Sequence, residues 1–199
     1  MIRHDVIQGS EEWHTLRLGI PTASAFHRIL TPKRLEPSGQ RFRYMAELLA
    51  ERSTGRPFDT EATSWMGRGN ELEDEARRWY EFDRGVSVEA IGFVTNDTKT
   101  VGGSPDGLVG ADGMIEIKCR SRARHFEVLL DQCEPASPAQ VQGLLWLTER
   151  EWCDVVNYCP GARQHVVRWH RTATIIDAIA EHVTTFAAEL ETSAAELVG

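Results

Sequence analysis

The chain has 199 residues, a formal net charge of −8, 41% hydrophobic and 26% charged residues. That balance fits an ordinary globular protein with room for one sizeable core, and it argues against a surface that is basic throughout. No apolar run approaches the ~20 residues of a membrane helix, and the start MIRHDVIQGSEEW has no signal-peptide hydrophobic region, which points to a cytoplasmic protein.

Ser10 followed by two acids reads as the opening of a short helix over 10–18. TASAFHRIL reads as a second helix, N-capped by Thr22, and TPKRLEPSGQ (31–40) as a loop rich in Pro, Gly and charge. RFRYMAELLAERSTG is an amphipathic helix with Met45, Leu48 and Leu49 inward, stopped by Gly55 and Pro57. Residues 70–84 form another, with Leu72, Ala76 and Trp79 on one face.

The period then changes. Residues 86–94 and 100–109 read as strands, ADG (111–113) as a turn, and MIEIKC as a strand alternating in twos. PAQVQGLLWLTE (138–149) is helical, with Pro138 suited to its first turn. CDVVNYC and QHVVRWH are strands joined by a Pro-Gly turn, and residues 174–197 form a final helix that packs on the core. This order predicts an α/β fold with a mixed central sheet flanked by helices, as a single domain over 1–199. The cysteines at 119, 133, 153 and 159 lack CxxC spacing, so isolated thiols are expected instead of a zinc or iron–sulfur centre. Two basic clusters, over 28–43 and 119–125, are plain solvated faces unless a site claims them.

GGSPDGLVGADGMIEIKC (102–119) carries the chemistry. In a strand, Glu116 and Lys118 share one face, opposite Ile115, Ile117 and Cys119, which should face the core. The DG turn folds the preceding strand back, so Asp106 comes close to Glu116. Two carboxylates held together repel unless a proton or cation intervenes, and a hard divalent ion such as Mg²⁺ or Mn²⁺ suits oxygen ligands. A solvated hairpin is the bland alternative. Glu73 borders the buried stripe of its helix and is a candidate third carboxylate, with an ion pair to Arg77 as its plainer role.

SPDG followed by EIK resembles the core of the PD-(D/E)xK nucleases. QGSEEWHTLRLGIPTAS, ELEDEAR, GGSPDGLVG, GMIEIKC, AQVQGLLWLT and VVNYCP together resemble, in order, the lambda exonuclease or YqaJ-type viral recombinase family. The resemblance runs from about residue 8 to about residue 160 and implies a restriction-endonuclease-like fold. It implies a Mg²⁺-dependent 5′→3′ exonuclease on double-stranded DNA ends, yielding mononucleotides and 3′ single strands. A homotrimeric ring, a single-strand annealing partner, and a phage or prophage origin in a bacterial cell are implied with it.

By the same resemblance, Asp106, Glu116, the Ile117 carbonyl and Glu73 hold two metal ions, with Mn²⁺ a substitute for Mg²⁺, and Lys118 orients or deprotonates the attacking water. The segment MGRGNEL, longer than the family pattern by about two residues, leaves the helix acid open among Glu71, Glu73 and Glu75. The 5′-phosphate pocket falls on Arg17, Ser24, Ser104 and Gln140, and DNA contacts on Trp13 and Arg124. Read without the family, Arg17 suits a salt bridge with Glu11 or Glu12, Gln140 a core amide, and Trp13 a helix anchor. The rival readings are an endonuclease of the same core and a catalytically silent DNA-binding module.

Overall fold

The computed structural model describes residues 1–31, 33–58 and 63–198, and for 63–71 the backbone alone. Five strands form the main sheet in the order β2(Val88–Glu89), β5(Gly107–Val109), β6(Gly113–Cys119), β7(Trp152–Tyr158), β8(His165–His170). The β6–β7 pair is parallel and the others are antiparallel. The parallel pair needs a crossover, which is supplied by α4(Arg122–Leu129) and α5(Pro138–Thr148). A smaller antiparallel sheet joins β1(Ile2–His4), β3(Phe93–Thr95) and β4(Gly102–Gly103). The predicted mixed sheet flanked by helices is the observed one.

Helices cover both faces. On one face lie α5, α6(Ala173–Leu197), α2(Arg41–Thr54) and a short 3₁₀ helix (Ala23–Arg28), packed around Phe26, Leu48, Leu144, Phe186 and Met114. On the other, α3(Thr63–Arg84) sets Ala76 and Tyr80 against Ile115, Ile117 and Val156. Eight of the eleven residues of α5 are buried, so this helix sits inside the protein, and its apolar character runs round its circumference. Gly143 lets α5 lie directly on the ring of Phe26, where any Cβ would collide. Burying a ring such as Phe26 contributes about 2–3 kcal/mol.

Several expectations need correction. The TASAFHRIL segment forms a six-residue 3₁₀ turn, and Thr22 makes no side-chain cap bond. The segment 86–94 splits between two sheets, as does 100–109, because Ser104–Pro105–Asp106 interrupts the chain between β4 and β5. The helix begun at residue 70 runs from Thr63. The face of β6 bearing Glu116 is as buried as the isoleucine face, since α5 roofs it.

Candidate active site

The β5–β6 hairpin builds the site. Its register pairs Gly107 with Ile115 and Leu108 with Met114, which puts Asp106, the next residue out, opposite Glu116. The Ile117 amide donates to Asp106 Oδ2 at 2.5 Å. Arg150 ties down the hairpin tip by donating to the Gly110 carbonyl at 2.6 Å. Gln8 donates to the Pro105 carbonyl at 3.2 Å and so steadies the residue before Asp106.

Glu116 is 2% exposed. Its Oε1 takes the Lys118 ammonium at 2.7 Å and the Gln140 amide NH₂ at 2.6 Å. Lys118 also donates to Gln140 Oε1 at 3.2 Å, closing a triangle. Glu116 Oε2 is buried with no partner. Burial, with Glu116 and Glu73 nearby, holds the Asp106 carboxyl well above its ordinary value, against the opposing pull of the Ile117 amide and Lys118. Burial and then Glu116 raise the Glu73 carboxyl as well. For Lys118, burial pulls downward, but Glu116 more than offsets it and the pKa is raised.

These groups open into a cleft of about 860 Å³ whose walls include Ser24, Glu73, Ile117, Lys118, Arg120 and Gln140. The donor set fits a hard divalent cation: two carboxylates side by side, one with a bare buried oxygen, beside a strand carbonyl. Among the described residues no three His, Cys, Asp or Glu side chains form a ready cage. Mg²⁺ ordinarily takes one or two carboxylates and completes its shell with water and substrate phosphate.

The structure brings Asp106, Glu116, Ile117, Lys118, Glu73, Ser24 and Gln140 together around the cleft. Ser24 faces it from the 3₁₀ turn. Thr22 bridges Gly102, so the TAS and SPD segments lie side by side. Trp13, Arg17 and Ser104 form an adjoining group: the Trp13 indole donates to Ser104 Oγ at 2.8 Å, and the Arg17 guanidinium lies 4.1 Å from the Trp13 ring centre. The salt bridge from Arg17 to Glu11 or Glu12 does not form.

Gln140 is no core amide bonded to backbone; it serves the two catalytic candidates directly. Arg77 pairs with Asp74 at 3.1 Å and not with Glu73, which leaves Glu73 to the cleft. Glu75 accepts from the Tyr158 hydroxyl, which separates it from the site, and the Glu71 side chain lies outside the described residues. Arg124 is exposed on α4 and pairs with Glu127, away from the cleft wall. The sequence reading missed Gln8 as the support of Pro105, and Tyr44, whose hydroxyl accepts from the Thr22 amide at 3.2 Å. Neither carries a local signal, because both act across large sequence separations.

Fold and site together define a mixed α/β protein with an acid–acid–lysine cleft at a hairpin. The chain belongs to the YqaJ-like viral recombinase domain family, whose model matches residues 12–151. It is 36% identical to an alkaline exonuclease, LHK-Exo, from Laribacter hongkongensis, with a TM-score of 0.83 over 94% of this chain and 96% of that one. That protein is also known in complex with dAMP, with the same similarity. A phage-related exonuclease from Haemophilus somnus 129PT shares the fold at 17% identity, with a TM-score of 0.72 over 89% of this chain and 96% of that one. No curated protein matches. Among the described residues no helix is long and apolar enough to cross a membrane.

Proposed function

We propose that this chain is a Mg²⁺-dependent DNA exonuclease of the PD-(D/E)xK type, which removes 5′ mononucleotides from one strand of a duplex end and leaves 3′ single strands for recombination. The observation that carries this reading is the cluster of Asp106, Glu116 and Lys118 at one hairpin, with Asp106 bonded to the Ile117 amide and Glu116 to Lys118, just behind a cleft walled by Ile117, Lys118, Gln140 and Ser24. Membership of a viral recombinase family and likeness to alkaline exonucleases support a DNA exonuclease. The dAMP complex of the relative supports a mononucleotide product.

Asp106, Glu116 and the Ile117 carbonyl would hold one Mg²⁺ and Glu73 a second. Bound there, the ions supply Lewis-acid stabilisation of the phosphate and a water of lowered pKa. Lys118, held by Glu116 and Gln140, orients the attacking water and offsets negative charge that develops on phosphate oxygen. Against the effect of burial, which it more than offsets, Glu116 raises the Lys118 pKa, and the ammonium donates to both Glu116 and Gln140. Ser24 and Gln140 take the terminal 5′ phosphate from the cleft side, and Arg17 and Ser104 do so from the Trp13 side. A trimeric ring around DNA and an annealing-protein partner complete the proposal.

The test compares linear duplexes with 5′-phosphoryl or 5′-hydroxyl ends against a closed circle, in Mg²⁺ or EDTA, with Lys118→Ala as control. Mg²⁺-dependent loss of the phosphorylated linear duplex alone, abolished in the variant, is the expected result. Cutting of the circle would establish an endonuclease instead. Binding without any cleavage would make the chain a silent DNA-binding module.

A further inference from the structure

Arg120 follows Lys118 by two positions, just past the end of β6, and lines the same cleft. Lys118 is neutralised by Glu116. Arg120 forms no ion pair among the described residues. Its Nη2 donates to the Pro135 carbonyl at 2.7 Å, which pins the fork against the loop ahead of α5, and its Nε is buried without a partner. Burial lowers its pKa, and no carboxylate counters that effect. A half-buried guanidinium with no counter-ion is unfavourable unless an anion completes it. Ser137 lines the cleft beside it, and its hydroxyl makes no bond to the first turn of α5. The planar donor fork of arginine matches phosphate oxygens.

We infer that Arg120, with Ser137, forms a phosphate subsite for an internal phosphodiester of the bound strand, separate from the terminal-phosphate group of Arg17, Ser24, Ser104 and Gln140. This rests on the exonuclease reading and names how the rest of the strand is held. The shared chemistry is a phosphate oxygen pair, which the strand or a released mononucleotide can supply.

The test measures binding of a 5′-hydroxyl duplex end in EDTA across a salt series, for wild type, Arg120→Gln, Arg120→Lys and Ser137→Ala. Arg120→Gln should weaken binding about tenfold and flatten the plot of log K against log salt by about 0.9. Arg120→Lys should keep the slope with weaker affinity. The thermal midpoint of Arg120→Gln should hold or rise, because an uncompensated charge is removed; a merely structural arginine would lower it. Ser137→Ala should weaken binding severalfold with the slope intact.

Competition by inorganic phosphate and by a 5′ mononucleotide separates the two sources. If Arg120→Gln weakens only the competitors and leaves the DNA slope unchanged, the subsite holds product and the inference is overturned. Unaltered affinity and slope in Arg120→Gln also overturn it. Failure of wild type to degrade any linear duplex in Mg²⁺ sinks the exonuclease reading instead, whatever Arg120 does.

Discussion

Glu116 meets Lys118 through a single oxygen. The ammonium lies 2.7 Å from Oε1, while Oε2 stays buried and bare. A half-satisfied buried carboxylate is a site prepared for a further partner. Glu116→Gln should therefore abolish any Mg²⁺-induced rise in thermal midpoint, and Lys118→Ala should keep that rise while cutting the cleavage rate by about 10²–10³. Thermal shift with and without Mg²⁺, run beside a nuclease assay, checks both. A Mg²⁺ response that survives in Glu116→Gln would remove Glu116 from the metal set.

Asp106 costs the fold stability when it is ionised. Its folded pKa is raised above the ordinary 3.8, so its favourable contribution is complete below that value and is lost as pH rises through the folded pKa. Asp106→Asn should therefore be more stable than wild type at about pH 8 and nearly equal at about pH 4, while losing activity. Urea midpoints at the two pH values test it. A variant less stable than wild type at the higher pH would contradict the crowding of Asp106 by Glu116 and Glu73.

Gln140 links Glu116 to Lys118 and lies within the proposed phosphate wall. Gln140→Ala should lower turnover about tenfold through loss of hydrogen bonds to charged groups. It should also narrow the rate advantage of 5′-phosphoryl over 5′-hydroxyl ends. Gln140→Glu, which adds a further carboxylate beside Glu116, should be slower still. Equal end preference in wild type and Gln140→Ala would confine Gln140 to holding Lys118.

Much of this was legible in the chain, for identifiable reasons. Glu116 and Lys118 share a face because a strand has period two, and the DG turn returned Asp106 beside them; both effects are local. The 3₁₀ form of residues 23–28 was not legible, because Phe26 is held by α5, more than a hundred residues away. Burial of the Glu116 face depends on the same helix. α4 escaped notice because RARHFEVL has little apolar periodicity; its buried residues are His125 and Val128. The salt bridge that Arg17 suits when read without the family fails because Glu12 and Glu11 lie five and six residues back, whereas Trp13 lies four back on the same helix face, a spacing already present in the sequence.

The opposite sheet face provides a control. Asp154 accepts both arms of the Arg168 fork at 2.7 and 2.8 Å and the Tyr80 hydroxyl at 2.7 Å, joining β7, β8 and α3. Burial raises its pKa, but Arg168 and Tyr80 more than offset that and the folded pKa is lowered. The stability it contributes is present above the ordinary 3.8 and lost as pH falls through the folded value. Arg168 is half exposed, so Arg168→Ala should cost about 1–2 kcal/mol at about pH 7, less near pH 3, with specific activity unchanged. Chemical denaturation and rate measurements on the same preparation decide it. Lost activity with intact stability would place Arg168 in the reaction.

Nine residues separate Asp106 from Glu116: three on β5, three on β6 and the tip Gly110–Ala111–Asp112 between them. Adding or deleting one residue at that tip slides β5 by one place and turns the aspartate to the wrong side of the sheet, with every cleft side chain still present. Surface tips of this kind are ordinarily where genomes accumulate insertions. Here the tip is a spacer, free to drift in spelling but not in length. Gaps should be missing from this short segment in any lineage that retains the activity.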